Sequence, residues 1–112
     1  LHVLFERIQK VLNDSALNLR IGLCIDSAHL YSCGFAMITY TDTMKWLKSV
    51  EKYLQNVPFL FHLNDSASSL GSGVDKHAAL TSGNIWRDFN ATNGTEKLEN
   101  SGIMAIVNWC AE

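Results

Sequence analysis

Ile21-Gly22-Leu23-Cys24-Ile25-Asp26 is a short apolar run that closes on a carboxylate, and Phe59-Leu60-Phe61-His62-Leu63 repeats the pattern with an imidazole near its end. Neither run alternates apolar with polar, so each predicts a strand covered on both faces, as in a parallel sheet flanked by helices. Between them Met44, Leu47, Val50 and Leu54 recur at helical spacing. Thr41 or Asp42 offers a cap for that helix, which should close near Asn56, just ahead of Pro58. Strand, helix, strand in this order predicts a parallel crossover.

Upstream, Leu4, Phe5, Ile8, Val11 and Leu12 line one side of an amphipathic helix from Leu1 to Asn13, punctuated by Asn13, Asp14 and Ser15. Downstream, Asn64 to Gly83 is rich in Ser and Gly and lacks sustained periodicity, a length at which loops are usually functional or disordered. After Asn84-Ile85-Trp86, a polar stretch with Asn90, Asn93 and Gly94 reads as an irregular insertion. Ser101 then caps a last segment in which Ile103, Ile106, Val107 and Cys110 make a helix face, although the unbroken run from Ile103 to Val107 would also suit a strand.

Two parallel strands can neither close a sheet nor cover their own edges, and a (β/α)8 barrel needs about 250 residues. The expected fold class is therefore α/β, about two strand-helix units of a TIM barrel plus flanking helices. Residues 1–112 should be a fragment of a single barrel domain.

The composition, 47% hydrophobic and 18% charged with one proline, is that of a globular domain and excludes a disordered tail. A net charge of −2 and a pI near 6.1 give no basic footprint, so charge neither proposes nor excludes nucleic acid as a partner. Cys24, Cys33 and Cys110 form no C-x-x-C pair, which argues against a disulfide framework and a thiolate zinc site and for a reducing compartment, cytoplasmic or nuclear. No apolar run reaches the roughly 20 residues of a membrane-spanning helix. No leader is visible, but the chain opens on Leu1 inside a helix, so its true beginning is expected upstream. The N-x-[ST] sites at Asn13, Asn64, Asn90 and Asn93 read as chance matches.

Five metal-competent side chains gather at the exits of the two strands: Asp26 and His29 after the first, His62 on the second, Asp75 and His77 in the long loop. In a parallel α/β barrel the strand C-termini form the active face, so these segments should converge there. Imidazole and carboxylate are the ligands Zn²⁺ takes when no thiolate is offered, and Mn²⁺ or Fe²⁺ tolerates them too. A bound metal lowers the pKa of its water to about 7, which suits hydrolysis of a phosphodiester at neutral pH. Each residue taken alone has an ordinary explanation. Asp26 could cap the next helix, His29 could be a partly buried polar residue and His62 a satisfied core histidine, and Asp75-Lys76-His77 could be a solvated turn. Jointly, those explanations become the poorer account.

At these same segments the sequence resembles the endonuclease IV family of apurinic/apyrimidinic endonucleases. Gly22-Leu23-Cys24-Ile25-Asp26-Ser27-Ala28-His29 is similar to the family's G-x-C-x-D-[ST]-x-H, and His62-Leu63-Asn64-Asp65-Ser66 to its H-x-N-D-[AS]. Gly71-Ser72-Gly73-Val74-Asp75-Lys76-His77 with Gly83-Asn84-Ile85 resembles the G-S-x-x-D-R-H…G-x-G-x-I block. The three pieces stand in the family's order and spacing, and the likeness is close from Leu19 to Trp86.

The resemblance implies a zinc-dependent barrel nuclease acting on double-stranded DNA with abasic sites as a monomer, through a trinuclear zinc cluster. It implies His29, Asp75 and His77 as the ligands of one zinc, Asp26 and His62 as contributors to a second, and Lys76 as a DNA contact. Asn64 and Asp65 are candidates for orienting the ligands, or for a plain turn.

The family's ligands from earlier strands, two histidines and a bridging glutamate, have no counterparts here, since only His2 remains and it sits in the opening helix. The chain is accordingly expected to be a C-terminal-half piece, inactive alone. Lys76 stands where most members carry arginine, which keeps a charge but loses the bidentate fork. Glu112 is read as a helix residue rather than the family's last carboxylate ligand. The Asn- and Thr-rich insertion is reminiscent of members encoded by large DNA viruses, which adds the virion to the expected locations. A metal-dependent sugar isomerase or epimerase of related barrels, or a non-catalytic barrel remnant, are the alternatives. Tyr31 and Phe35 are expected to pack rather than touch DNA.

Overall fold

A computed structural model describes residues 2–15, 19–55 and 57–112. The expected contributions of Leu1, the Phe5 side chain and Asn56 lie outside the described residues. Helix α1 is His2–Asp14, followed by strand β1, Leu23–Asp26, and a short helix α2, Ser27–Ser32. Then come α3 at Tyr40–Glu51, β2 at Phe59–His62, and a two-residue antiparallel ladder of β3 (Asp65–Ser66) with β4 (His77–Ala78). Turns of 3-10 helix at Arg87–Phe89 and Leu98–Asn100 lead to α4, Gly102–Ala111.

β1 and β2 pair in parallel, as the crossover pattern predicts, with Leu23 opposite Phe59 and Asp26 opposite His62. Parallel pairing sends both strands out at the same end. The carboxylate and the imidazole that close the two runs are therefore neighbours because of the register alone.

The expectation that both strands are covered on both faces is not met. Ile25 and Phe61 turn toward the helices, whereas Cys24 and Leu60 on the opposite face are exposed. Helices pack on one side only, so the second face stays open among the described residues; in a closed barrel it is the face that lines the interior. The apolar stripe of α1, with Val3, Leu4, Ile8 and Val11, is likewise exposed.

The core lies between α2, α3, α4 and the segment around Trp86, and is built from Tyr31, Met37, Leu47, Trp86, Ile106 and Trp109 among others. Trp86 is fully buried and its indole donates to the Met37 carbonyl at 2.9 Å. Met37 adopts a left-handed backbone, φ 54°, which for a non-glycine costs about 1–3 kcal/mol. The same carbonyl explains Gly102, since a Cβ there would stand 2.0 Å from Met37 O and 2.5 Å from Thr43 Oγ1.

Two helix details differ from expectation. The cap of α3 is Thr39, not Thr41 or Asp42: its Oγ1 accepts from Asp42 N at 3.2 Å and donates to Asp42 Oδ2 at 3.1 Å. A bridge between Thr39 and Ser101 places the caps of α3 and α4 side by side, which selects Thr39 from several cap-competent residues. In α4 the buried set is Ile103, Ala105, Ile106 and Trp109, while Val107 and Cys110 are exposed. Trp109, packed against Phe59 with ring centroids 4.9 Å apart and planes tilted by 35°, turns the face toward itself. No helix among the described residues is long and apolar enough to cross a membrane.

Candidate metal centre

The five sequence-predicted residues meet at the mouth where β1 and β2 end. His29 Nδ1 lies 3.5 Å from Asp75 Oδ2, and Asp75 Oδ1 lies 3.4 Å from His77 Nε2. His77 Nε2 is 3.5 Å from Asp26 Oδ2, which is also 3.5 Å from His62 Nδ1. The result is an unbroken chain of alternating imidazoles and carboxylates. These separations exceed the 2.7–2.9 Å typical of a charge-assisted hydrogen bond. They match the roughly 3.3 Å between neighbouring donors around a tetrahedral ion with bonds near 2.0–2.1 Å.

Asp26, Asp75 and His77 each offer a donor atom within 4.8 Å of the others, and the chemistry of this set fits a borderline or hard divalent cation. The resemblance grouped His29, rather than Asp26, with Asp75 and His77. In the structure Asp75 faces both, one oxygen toward His29 and the other toward His77.

The two oxygens of Asp26 face different partners. Its Oδ1 caps α2, accepting from Ala28 N at 2.9 Å and His29 N at 3.2 Å. Its Oδ2 faces the two imidazoles and accepts from Asn64 Nδ2 at 2.9 Å. Capping therefore fixes the carboxylate's plane and aims the other oxygen at the centre. His62 is half-exposed, which excludes the core-histidine explanation. Cys24 Sγ lies 3.8 Å from the His62 ring nitrogens.

Asn64 is held by Ser27, which stands in the first motif but was given no role there. Ser27, fully buried, accepts from Asn64 N at 2.8 Å and donates to Asn64 O at 2.6 Å. This ties the exit of β2 to the start of α2. Its signal was absent from local sequence because the bond spans distant positions.

Asp65, the other candidate for orienting ligands, points away from the imidazoles. Its oxygens accept from the amides of Ser66, Gly83, Ile85 and Trp86. The loop bearing Asp75 is pinned to α2 as well, with Gly71 N donating to Tyr31 O at 3.0 Å and Gly73 N to Ser32 O at 2.9 Å. Both glycines sit at φ 70°, a region that L side chains resist.

Lys76 is exposed between Asp75 and His77, its carbonyl accepting from Ala67 N at 2.8 Å. Tyr31 is buried in the core, and Phe35 is exposed with its ring 6.0 Å from that of Trp46. Glu112 caps the end of α4 and pairs with Lys48 at 3.4 Å, which holds the Lys48 ammonium above its usual range.

No protein-family model matches the chain. It is 40% identical over 93 residues to a protein of African swine fever virus named "Probable AP endonuclease", covering 80% of this chain and 30% of that protein. "Probable endonuclease 4" of Protochlamydia amoebophila is 36% identical over 88 residues, covering 76% of this chain and 31% of the relative. The chain thus spans under a third of the length of these relatives. A crystal structure of AsfvAP:AG aligns with a TM-score of 0.79 at 38% identity, covering 96% of this chain and 34% of that one.

Proposed function

Given that the sequence and fold of this chain are those of one segment of the endonuclease IV-like AP endonucleases, we propose that the full-length protein hydrolyses the phosphodiester on the 5′ side of an abasic site in duplex DNA, leaving a 3′ hydroxyl. Residues 1–112 act as part of a single (β/α)8 barrel, with Zn²⁺ as the resident metal and Mn²⁺ a tolerated substitute. The observation that carries the reading is the convergence of His29, Asp75, His77, Asp26 and His62 within successive contacts of 3.4–3.5 Å.

When held there, a divalent cation would supply the Lewis acidity that phosphodiester hydrolysis needs at neutral pH. The chain's own residues do the rest. Asp26, Asp75 and His77 would supply one set of donors, with His29 and His62 beside them as further ligands. Asn64 holds Asp26 in orientation, and Lys76 offers a cation to the DNA backbone beside the centre. Carboxylates facing a polyanion are accounted for by the charge of the metals they hold.

The test is incision of a duplex carrying a single abasic-site analogue by the full-length protein, with and without a chelator. Cleavage 5′ to the lesion that zinc restores after chelation is the expected outcome. Aldose–ketose conversion without incision would overturn the reading.

A further inference from the structure

Asp65 is fully buried, and among the described residues no cation pairs with it. Each of its oxygens accepts two backbone N–H groups. Oδ1 takes Ser66 N at 2.8 Å and Ile85 N at 2.9 Å; Oδ2 takes Gly83 N at 3.2 Å and Trp86 N at 3.3 Å. Hydrogen bonds in this number replace the water that a buried carboxylate loses.

Those amides belong to two separate stretches, β3 itself and the turn at 83–86. Asn84 N adds a further bond to Ser66 O at 2.7 Å. The other edge of β3 carries β4, with Ser66 in register with His77 and Asp65 with Ala78. β3 is therefore a splint, bound to the turn on one side and to the strand bearing His77 on the other. Gly83 reflects the same demand, since a Cβ there would lie 2.5 Å from both Asp65 Oδ1 and Ser66 O.

We propose that Asp65 is a positioning residue for His77: its carboxylate clamps β3 to the 83–86 turn and so fixes the strand against which His77 is registered. The inference rests on the metal-centre reading above. Asparagine cannot replace the carboxylate. Whichever way its amide is turned, the NH₂ group meets two N–H donors.

The test is a double-mutant cycle on the full-length protein, read as Zn²⁺ affinity by competition with a chromophoric chelator. Asp65→Asn should weaken zinc binding by about 10–100-fold, as removal of a ligand's supporting partner does. In a His77→Ala background the same substitution should change affinity less than about twofold, because its effect runs through His77. Equal losses in both backgrounds would make Asp65 a general stabiliser and overturn the inference.

A measurement on the unsubstituted protein keeps the question open to refutation should Asp65→Asn not fold. Coupling is reciprocal, so zinc should slow hydrogen exchange at the Ile85 and Trp86 amides, and unchanged exchange would overturn the inference. Failure of the unsubstituted protein to bind zinc sinks the metal-centre reading and this inference with it. Zinc binding that Asp65→Asn leaves unaltered sinks the inference alone.

Discussion

Asp26 allows helix capping and the proposed cation binding to be tested separately, because its two oxygens face different partners. Replacing it with asparagine keeps an acceptor for Ala28 N and His29 N, now at 2.9 and 3.2 Å, and puts an NH₂ where Oδ2 faces His62 and His77. Asn64 can turn its amide to accept from that group, so the fold loses little. Asparagine is as good a cap as aspartate, and only the charge at the helix start is lost, a cost of about 0.5 kcal/mol. Alanine removes cap and charge together, for about 1.5 kcal/mol. For zinc the ranking changes. Both variants lose an anionic donor and should bind more weakly by at least the ~10–100-fold that a mere supporting partner contributes. Urea denaturation of the chelator-treated full-length proteins, paired with zinc competition, reads both quantities. The reasoning fails if Asp26→Asn binds zinc like the wild type, or if it unfolds as readily as Asp26→Ala.

Gly102→Ala should destabilise by about 1–3 kcal/mol through overpacking against the Met37 carbonyl while leaving zinc affinity intact, seen as a lower melting temperature alone. Ser27→Ala leaves the Asn64 amide without its acceptor and should cost about 1–3 kcal/mol in denaturant titration. Lys76→Ala in the full-length protein should weaken DNA binding across sequences and lower the salt slope by about 1. Acidification should release zinc, because protons compete with a metal for imidazole and carboxylate donors; proton uptake on release, measured calorimetrically, checks the sign.

What the sequence made legible was what depends on short spacing. Two apolar runs ending in Asp26 and His62, with a periodic helix between them, sufficed to anticipate parallel strands whose ends coincide. The five candidate ligands followed from residue type at those ends. Long-range choices were hidden. Thr39 became the cap of α3 because Ser101 lies beside it, and α4 turned its Trp109 inward because Phe59 waits there. Ser27 and Gly83 stand in the quoted motifs, but their roles were hidden because their partners, Asn64 and Asp65, come from other segments. Strand burial was overestimated for a related reason: apolar residues on both faces of β1 and β2 announce a covering that the described residues provide on one side only.

A cation bound where β1 and β2 end is the central prediction. Diffraction at the zinc absorption edge, from crystals of the full-length protein grown with zinc, addresses it directly. An anomalous peak among Asp26, Asp75 and His77 is the predicted result. Zinc-soaked crystals with those three side chains ordered and no peak between them would contradict it.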